Sequence, residues 1–152
     1  MFPDDADVLV VSKAMFDPFE YFVLRTRDGL FKAMFESSPG KVSYHIPCHS
    51  RLLNIGQKTC EMLQMIPGTT VITVARCSGH DGTWGVKSEY FDNSLKIEQP
   101  FFRQMAKAEP DYISSDCAIA CRHIAQGMCG VSAGKFLKSA HPLKLLRMAY
   151  GI

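Results

Sequence analysis

Residues 69 to 77 read TTVITVARC, a β-branched apolar run that ends at a single cysteine, Cys77. A run of this kind is typical of a buried strand. A glycine-rich loop follows it, SGHDGTWG at 78 to 85, and then a long helical pattern, VKSEYFDNSLKIEQPFFRQMAKA at 86 to 108. Pro100 predicts a break in that pattern, because proline interrupts a helix interior. The stretch therefore predicts a strand, a cysteine loop and a helical segment, in that order.

The same order occurs twice more along the chain. KVSYHIP at 41 to 47 is strand-like and is followed by Cys48 and a helical pattern. PDYISSD at 110 to 116 is strand-like and is followed by Cys117 and the helical pattern AIACRHIAQGM at 118 to 128. Strands that alternate with helices imply βαβ connections and a mainly parallel sheet. We therefore predict a three-layer α/β fold with cysteines in loops at the carboxyl ends of three strands.

The chain divides into three predicted segments. Residues 1 to 38 read mostly as helix, and residues 39 to 130 hold the three strand–cysteine–helix units. Residues 131 to 152 end in SAHPLKLLRMAYGI, which predicts a basic amphipathic helix with Leu143, Leu146 and Tyr150 on its apolar side. Four apolar residues of the first segment are candidates for a surface that meets a partner: Met15, Phe16, Phe31 and Met34.

The composition argues against several classes of protein. The chain has 152 residues, 47% apolar and 21% charged, which is ordinary for one globular domain. A net charge of +2 gives no support to nucleic-acid binding. No apolar run approaches the ~20 residues that a membrane-spanning helix needs, and the acidic start MFPDDADVLV lacks the cationic stretch of a signal peptide. We predict a cytoplasmic location, with peripheral association with the inner face of the membrane through partners.

Six cysteines stand out in a chain that is predicted to stay in a reducing compartment. Structural disulfides are not expected there, so metal, cluster or redox chemistry is the favoured role for some of them. Cys60 lies in a helical pattern and Cys129 in a turn, and both are expected to be buried as small apolar side chains. Cys48, Cys77 and Cys117 share the strand-end position at which parallel sheets bind ligands. We therefore predict that these three form a shared metal or cluster site.

The loop after Cys77 suits an anionic iron–sulfur cluster. Thiolates are the usual ligands of such clusters and of zinc. Glycines such as Gly79 and Gly82 let the backbone approach a cluster, and helix N-termini favour anions. His80 is a candidate fourth ligand, although a loop histidine bonded to its neighbours is an equal alternative. A tetrahedral zinc site that includes Cys121 or His80, and a thiol enzyme that pairs a loop cysteine with a histidine, also stay open.

Three blocks of the sequence resemble a known family. PCHSR at 47 to 51, RCSGHDGTWGVK at 76 to 87 and SDCAIACRHI at 115 to 124 resemble the three motifs of the cysteine-rich CCG domain. This domain occurs in the B subunits of heterodisulfide reductases and in the C subunits of anaerobic glycerol-3-phosphate dehydrogenases. The resemblance implies an electron-transfer part of an oxidoreductase complex rather than its catalytic part. It also implies a ferredoxin-like iron–sulfur subunit or a flavoprotein dehydrogenase as the partner.

The family motifs match this chain with two departures. Ser78 stands where the family has the second cysteine of a double-cysteine motif, so we expect it, like Gly79 and Gly82, to supply loop backbone. Cys121 lies one residue further along than the family's closing cysteine. The resemblance implies an iron–sulfur cluster, with a 4Fe–4S cubane completed by Cys121 or His80 favoured, and zinc as the alternative. Three cysteines match residue by residue and would be its ligands: Cys48, Cys77 and Cys117.

Relatives in this family also carry a ferredoxin-like part with closely spaced cysteine runs, which these 152 residues lack. The chain is therefore expected to be a C-terminal piece of a longer protein or one subunit of a split protein.

Overall fold

A small parallel sheet with helices on both faces forms the fold. The computed structural model describes residues 4–53, 55, 57–80, 83–130 and 137–152. The strands are β1 Lys41–His45, β2 Thr70–Val74, β3 Tyr112–Ser115 and β4 Lys138–Ser139. The helices are α1 Ala6–Ala14, α2 Pro18–Arg27, α3 Cys48–Leu52, α4 Lys58–Gln64, α5 Ser88–Ile97, α6 Gln99–Ala106, α7 Ala118–Cys129 and α8 Pro142–Ala149. The predicted α/β class is confirmed.

The strand order places a reversal of topology at the middle of the sheet. The strands stand in the order β2-β1-β3-β4, and every pair is parallel. The chain leaves β1 for the neighbour on one side, β2, and returns to β3 on the other side. Open parallel sheets bind ligands at the carboxyl ends of the strands beside such a reversal. The loops that follow β1, β2 and β3 lie at this edge.

Two apolar clusters hold the helices against the two faces of the sheet. On one face, Val42 and Tyr44 of β1 pack with residues of α2, α4 and α8. On the other face, Val74 and Ile113 pack with residues of α6 and α7. Successive residues of a strand point to opposite faces, so His45, next to Tyr44, lies against α6 on the second face. The predicted three-layer arrangement follows from this alternation.

Two helices outside the cysteine units, α2 and α8, contribute side chains to the first cluster. Asp17 caps α2 by accepting hydrogen bonds from the backbone N–H groups of the first turn, and Phe19 of this helix is buried. At the other end of the chain, Leu145 and Leu146 of α8 are buried in the same cluster. Of the predicted apolar side of α8, Leu146 is buried and Tyr150 packs against the cluster, whereas Leu143 is 39% exposed.

The first helix contributes no buried side chain to the core. Of the predicted partner-surface residues, Met15 is 73%, Phe16 45% and Met34 73% exposed, as expected for such a surface. Phe31 is half-buried and packs against the first cluster. No helix in the described part of the chain has both the length and the apolar character needed to cross a membrane.

The predicted break in the long helical pattern is confirmed. α5 ends at Ile97, and Glu98 is both its C-terminal cap and the N-terminal cap of α6. Pro100 lies in the first turn of α6, where its missing N–H costs no hydrogen bond. Cys60 is buried in α4 as expected. Cys129 is exposed, so the prediction that it is buried was wrong; it is the last residue of α7, beyond the part of the helix that the sheet covers.

Candidate metal centre

Three predicted ligands follow directly on the carboxyl ends of three strands. Cys48 begins α3 after β1 ends at His45, Cys77 follows the end of β2 at Val74, and Cys117 caps α7 after β3. The thiols of Cys48 and Cys77 are exposed, and that of Cys117 is half-buried. The parallel sheet thus places the three thiols along one edge, around the reversal between β1 and β3.

A thiol and an imidazole meet at the end of β3. The Nε2 atom of His80 lies 3.9 Å from the Sγ atom of Cys117. On the other side of the ring, Nδ1 of His80 lies 2.6 Å from the hydroxyl oxygen of Ser78. The loop after β2 and the loop after β3 are therefore joined through His80. Of the predicted residues, the structure brings Ser78, His80 and Cys117 into direct contact.

A second group of side chains joins Cys48 and Cys77. The Arg51 guanidinium donates a hydrogen bond to the Sγ atom of Cys48 over 3.2 Å. Arg51 also lines a cleft of about 550 Å³ together with Cys77, Arg76 and Glu98. Arg51 thus contacts one loop cysteine and shares a cleft with the other. Guanidinium groups at this position lower the electrostatic cost of an anionic centre.

Cys121 lies apart from the loops. Its side chain is 5% exposed, and its thiol donates to the backbone carbonyl of Ile113 over 3.7 Å. Burial raises the pKa of the Cys121 thiol. The side chain therefore faces β3, one turn of helix beyond Cys117.

A buried histidine ties the three strand ends together. Nδ1 of His45 lies 3.0 Å from the Ser115 hydroxyl, and Nε2 lies 2.9 Å from the backbone carbonyl of Arg76. The ring therefore connects β1 to the end of β3 and to the residue before Cys77. Burial lowers the pKa of His45 to about 4. A neutral ring held by both nitrogens fixes the relative positions of the loops that carry the thiols.

A buried carboxylate lies directly before Cys117. Asp116 accepts hydrogen bonds from the hydroxyls of Tyr44 and Thr59, and its backbone carbonyl faces the ring of His141. Burial raises the pKa of the Asp116 carboxyl. Its other carboxylate oxygen is buried without a hydrogen-bond partner among the described residues. The network joins β1, the residue that follows β3, α4 and the start of α8.

A second buried imidazole faces the loop after β2. His123 of α7 is 3% exposed, and neither ring nitrogen has a hydrogen-bond partner in the described part of the chain. Its ring centroid is 6.4 Å from that of His80 and 5.7 Å from that of Phe91. Burial and the neighbouring His80 lower the pKa of His123. The side chain closes the space between α7 and the glycine-rich loop.

The glycine-rich loop is tightly folded where it can be described. Gly79 has a φ of +67°, a left-handed conformation that glycine adopts without strain. A Cβ at this position would overlap the side chain of Glu98. Gly82, also predicted to supply loop backbone, lies outside the described residues. Gly79 thus lets the chain turn sharply between Ser78 and His80.

The donor chemistry of this edge fits a thiolate-bound cluster. Accessible thiols and an imidazole are the ligands that iron–sulfur and zinc centres use. Among the residues that the structure describes, no three His, Cys, Asp or Glu side chains lie close enough together to share a single metal ion. Cys48, Cys77, Cys117 and His80 are the residues that would hold it.

Sequence reasoning missed the polar network behind these loops. His45, Asp116 and His123 were not among the predicted site residues, yet they position the loop cysteines or face them. The signal was present, because polar residues inside the strand patterns KVSYHIP and PDYISSD are unusual for buried strands. His123 lies at helical spacing from buried residues of α7, and this spacing also indicates that it faces inward.

The curated proteins that are similar to this chain include two from Escherichia coli. Both are described as the C subunit of anaerobic glycerol-3-phosphate dehydrogenase, one from Escherichia coli (strain K12) and one from Escherichia coli O157:H7. Each is 33% identical over 112 residues, which cover 73% of this chain and 26% of the relative. The chain is homologous to these dehydrogenase subunits. The three motifs of the cysteine-rich domain had predicted this relationship, and the alignment confirms it.

The chain spans about a quarter of the length of the dehydrogenase subunits that it matches. No family model matches the chain, and no solved structure matches it. The relationship to the dehydrogenase therefore rests on sequence similarity over most of this chain.

Proposed function

We propose that this chain is the iron–sulfur electron-transfer domain of an oxidoreductase complex of the glycerol-3-phosphate dehydrogenase type. The observation that carries the proposal is the placement of Cys48, Cys77 and Cys117 after three parallel strands, around the reversal between β1 and β3. Homology to a dehydrogenase subunit and the three motifs of the cysteine-rich domain support the same assignment. A bound cluster, of the 4Fe–4S type, would accept and release single electrons.

The residues around the thiols have roles that suit a redox centre. Arg51 and Arg76 would place positive charge beside the thiolate ligands and sulfides of a bound cluster. Cys117 lies at the N-terminus of α7, where the helix dipole also favours negative charge. The exposed side of the centre, at Cys48 and Cys77, gives a partner close access. A ferredoxin-like iron–sulfur subunit or a flavoprotein dehydrogenase, held at the membrane surface in some complexes, is the proposed partner.

Anaerobic purification and reconstitution of the full chain tests the proposal. We expect stoichiometric iron and labile sulfide and a visible absorption band that bleaches on reduction. Cys48→Ala, Cys77→Ala and Cys117→Ala should each reduce the iron content to background, since each removes a ligand. Cys129→Ala is the matched control, because Cys129 is also exposed but lies at the far end of α7.

A colourless, iron-free wild-type protein after reconstitution would refute the proposal. If Cys129→Ala removed iron as completely as Cys77→Ala, the assignment of the ligands to the strand-end loops would be wrong.

A zinc-binding or metal-free interaction domain is the second candidate. The observation that favours it is the exposed apolar side chains of α1, such as Val10 at 67% and Val11 at 59%, which a docking partner would cover. Stoichiometric zinc without iron in protein purified under anaerobic conditions would support this function over electron transfer.

A further inference from the structure

We propose that α1 pairs this chain with a second copy of itself, through an antiparallel contact of the two α1 helices centred on Val10. Two observations carry the proposal. The helix is exposed and apolar on all sides, and its sequence is complementary to itself when one copy runs in the opposite direction. The pairing does not depend on a bound centre, so it is tested on protein without metal.

The helix α1 lacks a covering surface within the described part of the chain. None of its nine residues is buried. Its middle holds four consecutive apolar residues, and they are widely exposed: Val8 45%, Leu9 46%, Val10 67% and Val11 59%. With 3.6 residues per turn, these four side chains point in four directions around the helix axis. A helix that is apolar all round is ordinarily buried, and an isolated helix of this length is marginal in water.

The sequence of α1, ADVLVVSKA, identifies a second copy as the molecule that covers it. In a contact with two-fold symmetry, the same surface meets itself, so each pair of facing residues occurs twice. Val10 is the middle residue of the nine. When the two-fold axis passes through Val10, Asp7 faces Lys13 of the second copy and Ala6 faces Ala14. Opposite charges and small side chains therefore meet on both sides of the axis.

The five residues of this contact lie on one side of the helix. Ala6, Val10 and Ala14 are spaced four residues apart, and Asp7 and Lys13 are each three residues from Val10, so all five share a face. The alanines let the two helix axes approach closely. Asp7 and Lys13 are exposed, and neither forms an ion pair within the described part of the chain. Their charges select the antiparallel orientation and its register.

A cleft at the junction of α1 and α2 extends the same surface. It has a volume of about 450 Å³ and is lined by Ala14, Met15, Phe16, Pro18, Tyr21 and Phe22. In an antiparallel pair the first turn of one helix lies beside the last turn of the other, and therefore beside this cleft. A helix of nine residues is only about 14 Å long, so two such helices alone bury less than the roughly 800 Å² per partner of a stable complex. We expect a dimer that dissociates on dilution.

Sedimentation of the full chain over a range of concentrations, in reducing buffer, measures the pairing. We expect the wild-type protein to change from monomer to dimer as its concentration rises. Val10→Asp should stay monomeric where the wild type is dimeric, because it places two carboxylates at the two-fold axis. Val86→Asp is the matched control, because Val86 is 65% exposed, close to the 67% of Val10, but lies outside α1.

Charge reversal tests the orientation of the two helices. Asp7→Lys and Lys13→Asp should each weaken the dimer about tenfold or more, because each brings like charges together on both sides of the axis. An equal mixture of the two variants should restore the dimer, because each variant supplies the charges that the other lacks. Mixing changes no sequence, so the recovery is independent of any effect of a substitution on the folding of α1.

Three results would overturn the inference. One is a wild-type protein that stays monomeric up to its limit of solubility, which would leave α1 to a different partner. Another is a dimer that neither charge reversal weakens. A third is a mixture of the two variants that is no more dimeric than each variant alone. None of these results depends on iron binding, so they leave the electron-transfer proposal to its own test.

Discussion

At the scale of single residues, the loop after β2 depends on the backbone conformation of one glycine. Gly79 has a left-handed φ, and the space where a Cβ would lie is filled by Glu98 from the junction of α5 and α6. The loop therefore needs glycine at this position for two reasons. Another residue would be strained at this φ, and its Cβ would overlap the side chain of Glu98. A matched position exists at Gly29, whose φ is +69° and around which a Cβ would meet nothing within 4 Å.

We predict that Gly79→Ala lowers the free energy of unfolding by more than Gly29→Ala does. A left-handed conformation costs a non-glycine residue roughly 1–2 kcal/mol, which both variants lose. Gly79→Ala adds a steric cost on the order of 1–3 kcal/mol because the methyl group displaces Glu98. Urea unfolding of both variants measures the difference. In a Glu98→Ala background the two glycine substitutions should cost about the same, and a difference that persisted there would contradict the steric explanation.

At the residue scale, the sequence predicted some features of the candidate site and not others. The pattern of strands predicted that Cys48, Cys77 and Cys117 follow strand ends on one edge of the sheet, where the structure has them. His80 was a candidate ligand of the same site, but the pattern did not specify that its ring lies beside Cys117, 37 positions away in the sequence. Nor did it identify Asp116 as the acceptor for Tyr44, because nothing local to either residue specifies the partner.

At the scale of elements, α6 and α7 pack closely because one of them has no side chain at the contact. A Cβ on Gly127 of α7 would overlap the ring of Phe102, a residue of α6 that is 1% exposed. The helix α7 continues through Gly127 and has Gly130 as its cap. Gly127 lets α6 and α7 pack closely, and the sequence pattern of one helix does not predict such a contact with another helix.

We predict that Gly127→Ala destabilises the protein, although alanine is the better helix former by about 1 kcal/mol. Forcing a methyl group into the ring of Phe102 costs roughly 1–3 kcal/mol, and the rigid, buried ring leaves little room for relief. Gly130→Ala is the control, because a Cβ there meets nothing closer than ordinary contact. Thermal unfolding of both variants checks the order. The penalty of Gly127→Ala should shrink in a Phe102→Leu background, and an unchanged penalty would refute the proposed contact.

Periodicity predicted the long elements well and the short ones poorly. The strands β1 to β3 and the helices α5 to α7 were expected from apolar spacing and from Pro100. The strand β4 has two residues, Lys138–Ser139, and both are exposed. A strand of two exposed residues shows no alternation of apolar and polar side chains. It is recognised as a strand from its pairing with β3.

At the scale of the whole molecule, the two apolar clusters meet a set of buried polar groups at the carboxyl edge of the sheet. His45 is the one of these that contacts all three cysteine-bearing strand ends, through its own strand, Ser115 and the carbonyl of Arg76. The fold therefore holds its candidate centre by means of a side chain that must stay neutral. This requirement couples the stability of the molecule to pH.

The sign of this coupling follows from the direction of the pKa change. Burial lowers the pKa of His45 in the folded state to about 4, from an ordinary value of 6.5. Between these values the unfolded chain binds a proton that the folded chain excludes, so stability falls as the pH falls through this window. The loss attributable to His45 reaches about 3 kcal/mol near pH 4, since one pH unit corresponds to about 1.4 kcal/mol. The lowered pKa of His123 acts in the same direction.

Two carboxyl groups act in the opposite direction. Burial raises the pKa values of Asp116 and Glu98, so the folded state retains their protons where the unfolded state releases them. Their contribution to stability grows as the pH falls toward the ordinary carboxyl range. It therefore offsets part of the histidine effect at the acidic end of the window. The histidine effect is expected to dominate at the upper end of the window, which lies nearest to the ordinary pKa of histidine and furthest from that of a carboxyl group.

We therefore predict that the free energy of unfolding decreases as the pH is lowered from 6.5 to 5, and that His45→Gln weakens this dependence. Glutamine keeps hydrogen-bonding groups at the site but has no proton to exclude, so the variant should be less stable at pH 7 and have a flatter pH profile. Urea unfolding of both proteins at half-unit pH steps measures the slope. Equal slopes for the two proteins would show that His45 is not the group whose burial resists protonation, and the neutral link between the three strand ends would then have to be assigned to another residue.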